Sequence, residues 1–98
     1  MFVKIIKSYR DVVAICDSNL IGKKFEDDIF QLDIKESFYK GEEMDKNQTL
    51  KIIEKMSEED ATFNIVGKES VSLAENAGII SRESIKKIKG IPFAMVLI

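Results

Sequence analysis

Three polar residues stand inside or just beyond apolar runs: Asp17 after VVAIC, Asn64 within TFNIV, and Lys68 after Gly67. A carboxylate, an amide and an amine gathered around one pocket suffice for acid–base chemistry, provided their contacts close to about 3 Å. Asp17, Asn64 and Gly67 are therefore the pocket candidates, with Lys68 as the cation facing an anionic ligand. The stretch FNIVGKES also opens as a phosphate loop does, with an apolar strand, a glycine, a lysine and a helix. Such a loop needs a further glycine five residues before the Gly-Lys glycine, and Ser or Thr directly after the lysine. Thr62 and Glu69 hold those places, so the backbone amides cannot wrap a polyphosphate and a carboxylate crowds the site. A single phosphate contact by Lys68 survives. It competes with the plainer view that Gly67 permits a tight turn while Glu69 complements the helix dipole.

Several chemistries are removed outright. The chain has no histidine, so Ser-His-Asp and Cys-His devices cannot be built from it. One cysteine without histidine also excludes the usual zinc sites within a single chain, and no metal or cofactor is expected. Cys16 ends a wholly apolar run, which predicts an inert core thiol rather than a nucleophile. The carboxylate runs Glu26-Asp27-Asp28 and Glu58-Glu59-Asp60 adjoin turn residues and read as solvated. Catalytic carboxylate pairs need one member desolvated so that their pKa values separate. No catalytic residue is assigned.

The elements that must position these residues follow from pattern. FVKIIK and DVVAIC are β-branched runs joined by SYR and predict a hairpin. VVAIC has no polar face, so it belongs inside a sheet. FQLDIK alternates, as a strand with one wet face does. Asp45 and Gln48 have capping-box spacing ahead of a helix whose stripe is Leu50, Ile52, Ile53 and Met56. ATFNIV is a further strand, and a short helix from Gly67 to Asn76 buries Val71, Leu73, Ala74 and Ala77. Gly78 stops it. Ser81 is read as capping a last helix that buries Ile85 and Ile88 and ends at Lys86, Lys87, Lys89 and Gly90. FAMVLI closes the chain as a second wholly apolar strand, expected beside VVAIC in mid-sheet. The spacing of Ala74, Gly78 and Ile79 suits a helix-turn-helix bend, but the slot for the next buried residue holds Ser84. The sum is one α+β domain, residues 1–98: a mixed, mainly antiparallel sheet of about five strands, with three helices packed largely on one face.

Charge is unevenly spread. Residues 26–60 carry twelve acids against five lysines, while the flanking segments are mildly basic. A bipolar surface of this kind suits phosphates at one pole and a basic partner at the other. The longest apolar run, IPFAMVLI, is far short of the ~20 residues of a membrane helix, and the early apolar run is broken by lysines. A cytoplasmic protein with no membrane role is expected.

VVAICDSNLIGKKF, FYKG, and NIVGKESVSLAENAGII with IKGIPFA together resemble the small archaeal family catalogued as domain of unknown function 424. The likeness runs over nearly the whole chain. It implies an archaeal cytoplasmic protein linked to translation or ribosome assembly, with no established activity. The preferred expectation is a non-catalytic accessory domain binding RNA or a ribosomal particle. Lys23, Lys24 and Lys68 are its phosphate-contact candidates, since each lies beside a glycine-containing turn. The first alternative is a protein-interaction module or homodimer whose acidic face meets a basic partner, with Phe38 and Tyr39 as anchors. The second is an enzyme using Asp17, Asn64 and Lys68.

Overall fold

The first hairpin forms as its pattern requires. In the computed structural model, which describes residues 1–97, β1 (Phe2–Ile6) pairs antiparallel with β2 (Val12–Cys16). A short 3-10 turn over Ser18–Leu20 leads to a ribbon of β3 (Lys24–Glu26) and β4 (Gln31–Asp33). Then follow α1 (Glu36–Tyr39), β5 (Glu42–Glu43), α2 (Lys46–Glu58), β6 (Thr62–Val66) and α3 (Lys68–Asn76). A 3-10 turn at Arg82–Ser84 precedes the closing hairpin of β7 (Lys86–Ile88) and β8 (Ile91–Val96).

The main sheet has six strands in the order β5-β1-β2-β6-β8-β7, and the ribbon is a second, two-stranded sheet. Among the described residues only β2 and β6 run parallel. Parallel neighbours need a long crossover, and α2 supplies it. The class is α+β, with six strands in the main sheet rather than about five.

One face of the sheet buries Val13, Ile15, Phe63, Ile65 and Ala94 against Ile53 and Met56 of α2 and Val71 and Ala74 of α3. The other buries Ala14, Cys16, Val66 and Ile88 under Leu20, Leu32, Ile34 and Tyr39, contributed by the ribbon, α1 and their connections. The two long helices therefore share one face, and α1 lies with the ribbon on the other. Lys4 pins α1 there through a 2.7 Å hydrogen bond to the Ser37 carbonyl. The capping box of α2 is present: Gln48 N donates to Asp45 Oδ1 at 2.8 Å and Asp45 N donates to Gln48 Oε1 at 3.0 Å. Such a cap contributes about 1 kcal/mol.

Two expectations need correction. The apolar segments 12–16 and 93–98 are both interior, yet they do not touch as neighbours, because β6 lies between β2 and β8 (Ile98 falls outside the described residues). TFNIV takes the middle place, with Phe63, Ile65 and Val66 buried and only Thr62 and Asn64 half-buried. The last helix is also replaced. After one 3-10 turn the chain becomes β7, with Lys89 (φ 53) and Gly90 (φ 79) as the two-residue turn into β8. Two successive left-handed residues match the twist of a hairpin, whereas a helix end needs one. With no second helix following α3, a helix-turn-helix is absent among the described residues.

Candidate functional site

Parallel pairing brings the C-terminal ends of β2 and β6 to one end of the sheet, and there Asp17 meets Gly67. Asp17 N donates to the Val66 carbonyl at 3.1 Å, and Gly67 N donates to the Pro92 carbonyl at 2.8 Å. The Asp17 carboxylate is buried at the start of α3. Its Oδ2 accepts from Glu69 N at 3.1 Å, and its Oδ1 accepts from Ser70 N at 2.8 Å and Ser70 Oγ at 2.7 Å. An anion belongs at a helix N-terminus, and here the chain provides its own. Gly67 makes the closure possible. Its φ of 108° and ψ of 155° lie where essentially only glycine goes, and a Cβ there would stand 2.3 Å from Asp17 Cγ.

Asn64 does not join them. It sits within β6 opposite Ala14 and Met95, on the sheet face turned away from α3. Asp17 reaches toward α3, three residues farther along the strands, or roughly 10 Å. The Asp17–Asn64–Lys68 pocket is therefore not assembled; Asp17 and Lys68 alone share a small hollow with Asn19, Leu20 and Ile91.

Lys68 is exposed and opens onto more than that hollow. With Arg82 and Lys87 it lines a groove of about 340 Å³ between α3 and β7, floored by Val71, Ile85 and Pro92. Arg82 is steadied there by Glu75, its Nε lying 3.5 Å from the carboxylate. On the other flank of α3, Lys68 and Ser72 also wall a hollow of about 260 Å³ whose far side carries Lys46. Arg82, Lys87 and Lys46 were missed at the sequence level. Reading Lys86–Lys89 as the end of a helix hid the place of Lys87, and the signal for a strand was apolar Ile88 and Ile91 flanking a two-residue Lys-Gly turn.

The remaining candidates are placed as follows. Lys23 and Lys24 lie at the same end of the sheet as Lys68 but enter the ribbon over the opposite face. Lys24 is paired with Glu26 at 3.4 Å. Neither lines the α3–β7 groove. Tyr39 is buried and Phe38 is half-buried against the second core cluster, their rings edge to face at 4.9 Å. As set, they anchor α1 rather than present themselves to a partner. The exposed large apolar residues of the acidic segment are instead Ile29 and Phe30 at the ribbon tip. Asp27 accepts hydrogen bonds from both of their amides, Phe30 at 2.7 Å and Ile29 at 2.9 Å, which hold its carboxyl below the usual range. Cys16 is fully buried, and burial with the nearby Asp17 charge pushes its thiol up to about 11. Burial, helped by Cys16, pushes Tyr39 up to about 12. Among the described residues no group of His, Cys, Asp or Glu is arranged to hold a metal ion, and no helix is long and apolar enough to cross a membrane.

A family model described as protein of unknown function (DUF424) matches residues 6–98. The chain belongs to this family. Among solved structures, this DUF424 chain is similar to an uncharacterized conserved protein from Methanopyrus kandleri. The two share 26% sequence identity at a TM-score of 0.83, over 98% of this chain and 90% of that one. No curated protein matches. Within this DUF424 fold, the arrangement at α3 pairs a self-satisfied carboxylate with a cluster of exposed cations, of which Arg82 is paired with Glu75. The first is equipped to hold a helix in place, the second to bind an anion.

Proposed function

We propose that this DUF424 protein is a non-catalytic, cytoplasmic domain that binds RNA, free or within a ribonucleoprotein such as the ribosome. Its contact surface is the groove between α3 and β7. The observation that carries this reading is the convergence of Lys68, Arg82 and Lys87 on one groove with an apolar floor. Cations in such a place release the counterions condensed on the nucleic acid's phosphates, which supplies sequence-independent affinity. The floor of Val71, Ile85 and Pro92 gives a sugar or base an apolar surface once a phosphate is held. Much of the acidic charge lies on other elements, in the C-terminal part of α2, in β5 and in the ribbon, while Glu75, which does line the groove, is engaged by Arg82. The non-catalytic part of the reading rests on Asp17, whose oxygens are committed to α3, and on the lack of histidine. Filter binding of single-stranded and structured RNA at low and high salt tests it. Binding should fall steeply with salt and weaken on Lys68→Ala and Lys87→Ala. Salt-insensitive binding, or none at low salt, removes the reading.

A second reading is favoured by one observation, the exposed Ile29 and Phe30 flanked by Glu26, Asp27 and Asp28. An apolar tip ringed with acids suits a basic protein partner or a second copy. Light scattering and co-purification with Ile29→Ser and Phe30→Ser separate it from the first. Those changes would abolish a protein complex and leave RNA binding untouched.

A further inference from the structure

The groove beside Lys87 and the hollow beside Lys46 are separated by one ridge. Its crest is made by Lys68 and Ser72, which stand one helical turn apart on α3 and wall both depressions. Cations thus occur on both flanks and on the crest: Lys46 at the first turn of α2, Lys68 between, Arg82 and Lys87 beyond; one carboxylate also lines each depression, Glu69 in the hollow and Glu75, paired with Arg82, in the groove. We propose that the RNA taken by this surface is single-stranded and crosses α3 at Lys68 and Ser72, so that adjacent nucleotides enter the two depressions. This rests on the RNA-binding reading above and specifies its substrate.

Shape argues for a single strand. The depressions, about 340 and 260 Å³, lie at and just below the lower bound for small-ligand pockets, so each has room for no more than one small unit of a chain. A duplex keeps its bases stacked inside and offers only backbone, so it would rest on the crest and leave both depressions unfilled. A single strand can turn its bases outward. Chemistry argues the same way. The groove offers apolar contact from Val71, Ile85 and Pro92, while the hollow offers Asn76, whose amide both donates and accepts as a base edge requires. Lys68 on the crest meets the phosphate linking the two nucleotides. The Ser72 hydroxyl beside it can pair with a ribose 2′-hydroxyl, which DNA lacks. Neither depression is lined by an aromatic side chain, so stacking adds little and sequence preference should be weak.

Fluorescence anisotropy on the whole chain tests the crossing, with a short mixed-sequence single-stranded RNA, the same sequence as a duplex, and its DNA counterpart. The single-stranded RNA should bind roughly tenfold tighter than the duplex, about what one additional net hydrogen bond supplies. Lys46→Ala should lower the log–log salt slope for the single strand by about 0.7. Ser72→Ala should narrow the gap between RNA and DNA. Equal or tighter duplex binding with Lys46→Ala silent would overturn the crossing while the groove reading stands. Failure of every nucleic acid to bind would overturn both.

Discussion

Helix α3 begins in a closed knot of polar contacts and runs beside an open groove, and the two regions handle charge in opposite ways. At the closed end the Asp17 carboxylate is taken from water and accepts three hydrogen bonds, two of them from α3 amides. A buried charge must be paired this way, because an unsatisfied one would cost several kcal/mol. In the groove, Lys68 and Lys87 are exposed and Arg82 has one surface partner. Exposed charges add little to folding and remain free to meet a ligand. The comparison teaches which charged residue near a strand end is spent on the fold and which is available.

The sharpest way to break the comparison is Gly67→Ala. It forces a Cβ against Asp17 in a backbone region that side chains avoid, and should lower unfolding free energy by about 3 kcal/mol or more. Urea unfolding measures it, and a change within ~0.5 kcal/mol would show that the junction is not tight. Asp17→Ala comes next. Removing the carboxylate strands the Glu69 and Ser70 amides and the Ser70 hydroxyl, for a loss of about 2 kcal/mol. If Asp17 instead served a ligand, the substitution would cost binding and spare stability.

A third effect comes from the second face of the sheet. Cys16 titrates near 11 when folded against an ordinary 9.0, and Tyr39 near 12 against 10.0. Above pH 9 the unfolded chain therefore loses protons first and binds fewer than the folded one, so the stability slope turns negative. Stability contributed by these two groups should be fully present below pH 9, fall from there to about 11 through Cys16, and fall from about 10 to 12 through Tyr39. Urea midpoints across that range test the sign. Cys16→Ser and Tyr39→Phe would each remove their own part of the decline.

The smallest stability effects belong to the groove. Lys68→Ala and Lys87→Ala should change unfolding free energy by less than about 0.5 kcal/mol, as exposed substitutions usually do. A larger loss would place these lysines with Asp17, as parts of the fold.

How much of this was legible depends on how local the physics is. The α2 capping box could be read because Asp45 and Gln48 are three positions apart and answer each other. The first hairpin was legible from its two β-branched runs, and α3 from its apolar positions between Gly67 and Gly78. The Asp17 cap was not, since its hydrogen bond to Ser70 spans 53 positions and exists only after β2 and β6 pair in parallel. Asp17 and Gly67 were singled out together as pocket residues; they do meet, but to close a helix end. Helix α1 and strand β5 are too short to show a period, and Lys24–Glu26 becomes a strand only through β4. The segment around Lys86–Lys89 carried signals for both a helix end and a hairpin turn. Pairing with β8 decided between them, and the same pairing set Lys87 across from α3 to form the groove.

The most direct test is a salt titration of RNA binding by the wild-type chain and by the triple variant Lys68→Ala, Arg82→Ala, Lys87→Ala. The wild type should bind single-stranded RNA at low salt, and the variant's log–log slope should be shallower by about two units, near 0.7 per cation removed. Its urea midpoint should stay close to the wild type's. An unchanged slope, or RNA binding that persists undiminished in the variant, would contradict the assignment of the groove.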